Sequence, residues 1–383
     1  MKVFTTQGKV QINRVTQATD WAIKAEKEKI RLSENEIPEQ YKEFADVFSE
    51  EKARRFPPTR EEDHEIKFLE ETLKSFTAQT YKMDAEQTKF MRNWLTEELE
   101  KGFIRESKSP YPSLTFLIKK KNGDYRVVQD YRKLNSYTVL DKTPLPLISN
   151  IVEQLGGKTL FTKFDIRMGY NNIRIKEGDQ EKAAFTTPLG QYEPMVMSFR
   201  LRNASGTFIR TMNRLFQNVQ NKYPEEVHIY MDDILVATPH DVPRHREIVK
   251  AVLEVMRKES FFLKISKCEF EQPKVEYLGL LVDKDTIKPD PSKVAGLKDW
   301  PRVLKSIKEV RSTLGLLNYH RAFVPGFSHI VKPLTQLLKK GVPFLWTTRC
   351  KQALDTIITI LTNEPVLAQP DQTKPFELEV DAS

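Results

Sequence analysis

The feature that most constrains this chain is a pair of adjacent aspartates, Asp232 and Asp233, set between two short runs of β-forming residues. The flanking runs, 228–231 and 234–237, predict a tight antiparallel hairpin with both acids at its tip. A third acid, Asp165, ends a run that alternates apolar and polar residues, which predicts a neighbouring strand. We therefore expect three carboxylates to converge at one edge of a sheet.

Carboxylates grouped in this way suit a site for two magnesium ions. Mg²⁺ prefers oxygen ligands and is usually held by one or two protein carboxylates together with substrate phosphates. Two such ions, roughly 3.5–4 Å apart, lower the pKa of an attacking hydroxyl and stabilise the leaving oxygens in phosphoryl transfer. An isolated Asp-Asp pair is more often a plain acidic turn, and it is the added strand ending in Asp165 that favours the metal site.

Size, charge and cysteine content narrow the classes of protein that this chain can belong to. Its 383 residues predict two or three subdomains, and its net charge of +8 fits a polyanionic partner, although basic surfaces also occur without one. Cys268 and Cys350 stand far apart without partners at ligand spacing, which argues against a zinc site and a disulfide framework. Because no apolar stretch reaches the ~18–20 residues of a membrane span, we expect a soluble, intracellular protein without a membrane partner.

Two elements precede the acidic motif. A helix is predicted over 84–102, since Met91, Trp94 and Leu95 mark one face and Gly102 stops it. The β-rich residues 114–128 then flank an Asn-Gly pair, which is a strong hairpin signal. The basic side chains that cluster on this hairpin are Lys119, Lys120, Lys121 and Arg126. Such a hairpin suits contact with a triphosphate or a template backbone, and the alternative is a solvated edge strand.

The elements around the acids follow the order β–α–β–β–α–β, which is typical of a ferredoxin-like unit. Amphipathic helices are predicted over 203–219 and from about 243 to 258, on either side of the Asp-Asp hairpin. The last strand of the series starts an extended run over 270–282. Shorter elements are a helix over 145–157 and a strand over 183–187.

The C-terminal part of the chain is predicted to be mainly helical. Two or three helices are expected over 305–340, the first opened by a capping box of Ser306 and Glu309. A strand is expected over 376–383, and because no element follows it we expect a truncated domain there.

Several motifs occur in a fixed order: Lys-Lys-Lys-Asn-Gly-Asp-Tyr-Arg at 119–126, Asp-Tyr-Arg-Lys-Leu-Asn at 130–135, Asp165, Tyr-Met-Asp-Asp at 230–233 and Tyr-Leu-Gly at 277–279. In this order they resemble the reverse transcriptases of Ty3/gypsy-type LTR retrotransposons, and the resemblance covers about residues 36–383. It implies an α+β right-hand polymerase with fingers, a ferredoxin-like palm, a thumb and a connection, followed by the truncated start of an RNase H-like domain.

The resemblance also implies a division of the chain. The expected segments are a flexible polar lead (1–35), an N-terminal arm and fingers (36–135), palm with part of the fingers (136–248), the end of the palm and the start of the thumb (249–300), thumb and connection helices (301–342) and the start of the RNase H-like domain (343–383). Asp381 matches the first acid of that domain. Since one carboxylate does not hold a metal pair, we expect no ribonuclease H activity from this chain.

The activity that the resemblance implies is RNA-directed and DNA-directed DNA synthesis, in which deoxynucleotides are added to a primer 3′ hydroxyl. The implied cofactor is Mg²⁺, as two ions. The implied partners are an RNA or DNA template with its primer, a dNTP and other parts of the parent polyprotein, in cytoplasmic particles or the nucleus. The alternative is a catalytically inactive retroelement remnant that binds nucleic acid non-specifically.

Individual roles follow from the matching positions. The residues that match the catalytic metal ligands are Asp165, Asp232, Asp233 and the carbonyl of Ile166. Those that match the nucleotide site are Lys120, Arg126, Phe199 and Tyr170, the last as the aromatic gate under the sugar. Those that match template–primer contacts are Asp130, Arg132, Asn135, Tyr230, Met231, Lys264, Tyr277, Leu278 and Gly279. The alternative for Tyr170 is a core tyrosine, and for Arg132, Asn135 and 277–279 it is ordinary strand and turn packing. Lys267 competes with Lys264 as a proton donor.

Three residues depart from the family pattern. Arg200 stands where the family has a glycine that lies against the incoming nucleotide, so its side chain either blocks that site or turns outward to contact a phosphate. Ser205 replaces a proline at the start of a helix, where it keeps the ability to cap. Gly206 is expected to weaken the first turn of the same helix.

Overall fold

In the computed structural model two compact units are present. The structure describes residues 37–69, 76, 80–120, 123–144, 146–284, 286–363 and 367–368. The larger unit consists of 37–154 and 160–271, and the smaller unit contains 155–159 and the described residues from 272 onward. Over these residues, no helix combines the length and the apolar character needed to cross a membrane.

Among its described residues, the larger unit contains six α-helices, nine strands and several 3-10 segments. Its helices are α1 (Glu50–Ala53), α2 (Ala85–Glu100), α3 (Arg132–Tyr137), α4 (Ile148–Gln154), α5 (Ala204–Lys222) and α6 (Val242–Glu259). Its strands are β1 (Ile104–Glu106), β2 (Ser113–Lys119), β3 (Tyr125–Asp130), β4 (Leu160–Asp165), β5 (Phe185–Thr187), β6 (Gly190–Pro194), β7 (Val227–Tyr230), β8 (Asp233–Thr238) and β9 (Glu269–Gln272). The 3-10 segments are Glu39–Phe48, Gly169–Asn172, Gln180–Ala183 and Ile265–Lys267.

One sheet of the larger unit carries the acidic motif. Its strands lie in the order β7-β8-β4-β9, and the chain visits them as β4, α5, β7, β8, α6, β9. This is the predicted β–α–β–β–α–β arrangement. Helix α5 buries Phe208, Met212 and Phe216, which recur at the spacing of one helical face. Helix α6 begins after Asp241, whose carboxylate accepts the backbone N–H of Arg244 at 3.0 Å.

A second sheet lies in the same unit, with strand order β1-β6-β5-β2-β3. The predicted hairpin is confirmed as β2 paired antiparallel with β3, and its tip residues 121–122 lie outside the described residues. The predicted helix over 84–102 is α2. Asp84 caps it, in a reciprocal capping box with Gln87, and Gly102 follows it with a φ of +70°.

The segment from residue 37 packs against helix α6, as expected for an arm on a larger body. Tyr41, Phe44 and Val47 of its 3-10 segment are buried in the core that α6 shares. Arg257 of α6 donates to the Asp46 carboxylate at 2.7 Å. The arm is therefore held by both apolar burial and an ion pair.

The smaller unit contains one sheet and a set of helices. Its strands are β10 (Lys274–Tyr277), β11 (Leu280–Asp283), β12 (Thr286–Pro289) and β13 (Leu367–Ala368), in that order across the sheet. Its helices are α7 (Pro291–Val294), α8 (Ile307–Tyr319), α9 (Phe327–Ile330), α10 (Lys332–Gln336) and α11 (Thr348–Thr362), and its 3-10 segments are Ala295–Leu297 and Arg321–Phe323. Buried residues of α8, α10 and α11 form one apolar core.

Several predictions about boundaries can be compared with these elements. The helix expected over 145–157 is only Ile148–Gln154. Ser306 caps α8 as predicted, but the carboxylate of Glu309 accepts the N–H of Lys305 instead of that of Ser306. Both cysteines are buried and free. The lead 1–35, Asp381 and the strand expected over 376–383 lie outside the described residues, and the finer segment boundaries stay predictions.

Candidate active site

The acidic motif forms a hairpin with a two-residue turn. Tyr230 at the end of β7 pairs with Asp233 at the start of β8, so Met231 and Asp232 make the connection. Met231 adopts a φ of +57°, the left-handed region that favours glycine. A non-glycine residue held there costs on the order of 1–3 kcal/mol, and such residues concentrate at functional sites. Asp232 is exposed at this turn and Asp233 is half-buried.

The third acid lies directly beside this hairpin. Strand β4 pairs antiparallel with β8 so that Asp165 stands opposite Asp233. One residue further, the N–H of Ile166 donates to the carbonyl oxygen of Asp232 at 3.2 Å. The predicted hairpin and neighbouring strand are therefore confirmed, but only Asp232 lies in the turn, because Asp233 already begins β8. The three acids occupy adjacent backbone positions where β4 ends and β8 begins.

Two lysines contact these carboxylates. Lys267 Nζ lies 2.8 Å from Asp165 Oδ2, and Lys163 Nζ lies 3.8 Å from Asp233 Oδ1. Within the part of the chain that the structure describes, no three His, Cys, Asp or Glu side chains are grouped closely enough to hold a metal ion. The backbone thus brings the acids together, whereas two of the side chains are turned towards ammonium groups.

The electrostatics of the cluster favour an added cation. Burial raises the pKa of Asp233 above its usual range, and the negative charges of Asp232 and Asp165 raise it further against the opposing effect of Lys163. Oxygen-only donors that repel one another match the preference of Mg²⁺. This set of oxygen donors therefore fits magnesium. For the carboxylates to bind an ion together, Asp165 would have to rotate away from Lys267, and Asp233 away from Lys163.

Tyr170 lies next to the acidic turn. Its ring stacks on Phe208 with centroids 5.1 Å apart, and its hydroxyl lies 3.5 Å from Ser205 Oγ. The preceding Gly169 packs so tightly that an added Cβ would lie 3.4 Å from the Cβ of Asp232. The aromatic gate predicted at Tyr170 is thus adjacent to the acids, although half of its surface is used in packing.

The residues expected on the template side form a second group. Arg132 donates to both carboxylate oxygens of Asp130, at 2.8 and 2.6 Å. Asn135 donates from Nδ2 to the carbonyl of Arg200 at 2.9 Å and accepts the N–H of Arg202 at 2.8 Å. Both ends of the Asn135 amide therefore hold the loop 200–202, which makes this side chain a support for that loop.

The start of α5 corrects one prediction. Ser205 lies inside the helix and does not cap it, because Asn203 occupies the N-cap position with a φ of +69°. The amide of Asn203 bonds instead to the backbone of Val139 and Asp141, at 2.8 and 2.9 Å. Gly206 has a packing reason of its own, since an added Cβ would lie 3.2 Å from the side chain of Thr143.

Other predicted site residues lie on the periphery of the larger unit. Lys120, directly after β2, and Arg126 on β3 are exposed, and their contact with a nucleotide stays a prediction. Of the two candidate proton donors, Lys267 contacts Asp165 through its side chain, whereas Lys264 donates only its backbone N–H to the Asp165 carbonyl, at 3.0 Å. Sequence reasoning missed that Lys163 faces the acids, and its position two residues before Asp165 on the same strand face was the available signal.

The Tyr-Leu-Gly motif lies in the smaller unit, at the turn between β10 and β11. Leu278 and Gly279 have φ values of +50° and +73°, which is the pattern of a two-residue primed turn. The carbonyl of Leu278 accepts the Tyr319 hydroxyl, and an added Cβ on Gly279 would lie 2.9 Å from Lys293 Nζ. Tyr277 is buried, so packing accounts for its side chain, and the turn itself is held by its contacts with Tyr319 and Lys293.

Comparison with known proteins agrees with this geometry. Residues 118–282 match the family model described as reverse transcriptase (RNA-dependent DNA polymerase), and residues 346–383 match the RNase H-like domain found in reverse transcriptase. The Tf2-3 and Tf2-7 transposon polyproteins of Schizosaccharomyces pombe are each 33% identical over 353 residues, which is 92% of this chain and 26% of theirs. The chain thus spans about a quarter of the length of these curated relatives.

Solved structures support the fold. The foamy viral protease-reverse transcriptase dRH in complex with ds DNA matches with a TM-score of 0.72 at 21% identity, over 96% of this chain and 64% of that one. The foamy viral protease-reverse transcriptase in complex with RNA/DNA hybrid matches with a TM-score of 0.65 at 21% identity, over 93% and 48%. The predicted α+β reverse transcriptase fold is confirmed. The chain therefore belongs to the reverse transcriptase family, in the Ty3/gypsy-type retrotransposon group that its motifs predict.

Proposed function

We propose that this chain is an RNA-directed and DNA-directed DNA polymerase, which adds deoxynucleotides to a primer 3′ hydroxyl by two-metal phosphoryl transfer. The observation that carries the proposal is the pairing of Asp165 opposite Asp233, with Asp232 in the adjoining turn. An accidental acidic turn does not need a third acid in register on the neighbouring strand. The left-handed backbone of Met231 adds support, because strained residues cluster at functional sites.

The residues that would hold the two Mg²⁺ ions are Asp165, Asp232 and Asp233, with the Ile166 carbonyl as a further ligand. When bound, the ions supply a lowered pKa at the attacking hydroxyl and charge neutralisation at the leaving oxygens. Lys267 lies on Asp165 and is placed to exchange that contact for a phosphate oxygen once the carboxylate turns.

Other side chains would bind and orient the substrate. Tyr170 offers a ring face and edge beside Asp232, suited to lie under a deoxyribose and to exclude a 2′ hydroxyl. Lys120 and Arg126 on the exposed hairpin would pair with the triphosphate. Arg126 lies on β3 and Lys120 directly follows β2, so a movement of this hairpin towards the nucleotide would bring both cations to the phosphates.

The proposed partners are a primer–template of RNA or DNA and a dNTP. Support comes from the net charge of +8 and from the exposed basic hairpin. The matched foamy viral proteins are described in complexes with ds DNA and with RNA/DNA hybrid, and they share the fold of this chain. Other parts of the parent polyprotein are proposed as further partners, since this chain spans only 26% of the length of the curated relatives.

A second candidate is nucleic-acid binding without catalysis. The observation that favours it is the set of departures in one motif, Arg200, Ser205 and Gly206, together with the lysine contacts of Asp165 and Asp233. Gly206 weakens this argument, because its contact with Thr143 gives it a packing role. The two candidates differ in whether the acids act on a bound primer.

Primer extension separates them. The full chain is incubated with poly(rA)·oligo(dT), Mg²⁺ and dTTP, beside Asp232→Asn and Arg200→Gly. Extension by the unchanged protein that Asp232→Asn abolishes is the result we expect. Extension only by Arg200→Gly would mean a sound metal site behind a blocked nucleotide site. No extension by any of the three, with primer–template binding intact, would favour the binding protein.

A further inference from the structure

A cavity of about 380 Å³ in the larger unit is lined by Phe116, Asp130, Arg132, Asn135, Phe199 and Arg200, among others. Its walls come from β2, from the end of β3 with the start of α3, and from the loop before α5. Neither Tyr170 nor any of the three acids lines it. Arg200 therefore faces a space distinct from the acidic turn.

The charge of this cavity is positive. Arg132 pairs with Asp130 through two hydrogen bonds, and these bonds hold the pKa of the Asp130 carboxyl below its usual range. That pair contributes no net charge. Arg200 is the remaining charged group among the lining residues; its charge also acts on Asp130, whose two carboxylate oxygens are taken by Arg132. The cavity thus presents one uncompensated guanidinium.

Phe199 fixes where that guanidinium points. The Arg200 Cζ lies 4.9 Å from the centroid of the Phe199 ring, within the range of a cation–π contact. The same ring meets Tyr170 edge-on, with centroids 6.3 Å apart. Phe199 therefore stands between the proposed sugar gate and Arg200, and the arginine is held on the far side of the ring. The main-chain carbonyl of Arg200 is fixed as well, by Asn135 at 2.9 Å.

The charge of the cavity and its exposed aromatic ring favour a phosphodiester over a nucleoside triphosphate. One uncompensated positive charge matches a phosphodiester, which carries one negative charge, better than a nucleoside triphosphate with its cluster of charges. Phe199 is 53% exposed, and an exposed aromatic face beside a cation is the usual surface for an unstacked base and its phosphate. A single strand of nucleic acid satisfies both features at once.

We propose that Arg200 binds a phosphodiester of the unpaired template strand, in a cavity that it shares with Asp130 and Arg132. The proposal rests on the proposed function, since a template strand exists only for a polymerase or its inactive relative. Of the two orientations expected for an arginine at this position, the side chain takes the outward one. There Arg200 adds a contact with the template strand and leaves the nucleotide site open.

The test is binding of labelled primer–template by the full chain, measured by fluorescence anisotropy without Mg²⁺ or dNTP. Two DNA duplexes are compared, one blunt and one with a 5′ single-stranded template extension. The variants are Arg200→Ala and Arg200→Lys. The matched control is Arg92→Ala, which removes an exposed arginine from α2, away from the cavity. Thermal unfolding confirms that each variant is folded.

We expect Arg200→Ala to weaken binding of the extended duplex by about 3- to 10-fold and to lower the slope of log affinity against log salt by about one. Arg200→Lys should restore the slope but not the full affinity, because lysine does not stack on Phe199 as a planar guanidinium does. Arg92→Ala should leave the difference between the two duplexes unchanged. Equal losses on the blunt and the extended duplex would overturn the proposal.

The nucleotide is the other possible source of the bound phosphate. In steady-state extension, the KM for dTTP of Arg200→Ala should match that of the unchanged protein. A raised KM with unchanged affinity for the extended duplex would assign Arg200 to the triphosphate and overturn the proposal. If the chain extends no primer at all, the proposed polymerase activity fails, while the binding comparison still decides the role of Arg200.

Discussion

Thr162 on β4 and His245 on α6 are joined by a hydrogen bond of 2.7 Å between Oγ1 and Nε2, in the buried core beneath the acidic motif. The Thr162 oxygen also accepts the N–H of Glu271 at 3.0 Å. The opposite ring nitrogen of His245, Nδ1, lies 2.8 Å from Thr238 Oγ1. These two contacts tie helix α6 to two adjacent strands of the sheet.

The His245 contact predicts acid sensitivity. Burial lowers the pKa of His245 from 6.5 to about 4, so the unfolded chain takes up its proton first as pH falls. The contribution of neutral His245 to the free energy of unfolding is complete above about pH 6.5, and it is lost as the pH falls from there to about 4. A shift of this size corresponds to about 3 kcal/mol of unfolding free energy.

Urea unfolding at pH 7 and pH 4.5 measures this effect. His245→Gln should reduce the loss of stability between the two pH values, because the variant has no imidazole to protonate. The exposed His240, replaced by Gln, is the control and should change nothing. An unaltered pH dependence in His245→Gln would show that buried, neutral His245 is not the source of the acid sensitivity.

Asp233→Asn should stabilise the protein while destroying the proposed site. The folded-state pKa of Asp233 is raised by burial, with Asp232 and Asp165 adding to the effect, so its negative charge is unfavourable once pH exceeds the ordinary aspartate pKa. Without Mg²⁺ at pH 7 we therefore expect the unfolding free energy to rise. The gain should disappear well below the ordinary aspartate pKa of about 3.9, where the carboxyl group is protonated in both the folded and the unfolded chain. A loss of stability at pH 7 would show that the carboxylate is held by favourable contacts.

Lys267→Ala should strengthen magnesium binding. Lys267 donates to Asp165 at 2.8 Å and competes with a metal for the same oxygen. Removing this cation should raise the affinity for Mg²⁺ several-fold, because like charges at short range oppose each other. Isothermal titration of the full chain with MgCl₂ measures the effect. Lys258→Ala, an exposed lysine at the end of α6, serves as the control and should match the unchanged protein.

Gly279→Ala should destabilise the smaller unit by about 1–2 kcal/mol, because alanine is strained at a φ of +73° and its Cβ would lie 2.9 Å from Lys293 Nζ. Gly341 has a similar φ of +83° with nothing within 4 Å of an added Cβ. Gly341→Ala therefore measures the backbone strain alone. If thermal unfolding shows equal losses for the two variants, Lys293 imposes no constraint on the turn.

Much of the frame around the site was predictable because it depends on local patterns. Strand alternation ending at Asp165, the apolar face of α5 and the Asn-Gly hairpin signal each act over a few residues. Together they predicted the order of the strands and helices that carry the acids, and the family motifs predicted the fold.

The features that the sequence did not predict correctly depend on contacts between distant parts of the chain. Ser205 was expected to cap α5, but Asn203 takes that position because its amide bonds to residues 139 and 141. Lys267 reaches Asp165 across about a hundred residues, and nothing periodic in the sequence marks that pair. Gly206 was expected only to weaken the first turn of α5. Thr143, which is distant in the sequence, packs against it, and the local pattern does not show that contact.

The most direct test of the central claim is single-turnover addition of dTTP to a labelled primer by the full chain with Mg²⁺. Asp165→Asn keeps the size of the side chain opposite Asp233 and removes the metal-binding charge, while Glu254→Gln makes the same change on the exposed face of α6. We predict extension by the unchanged protein and by Glu254→Gln, with a rate at least about 100-fold lower for Asp165→Asn. Equal rates for all three proteins would contradict the account.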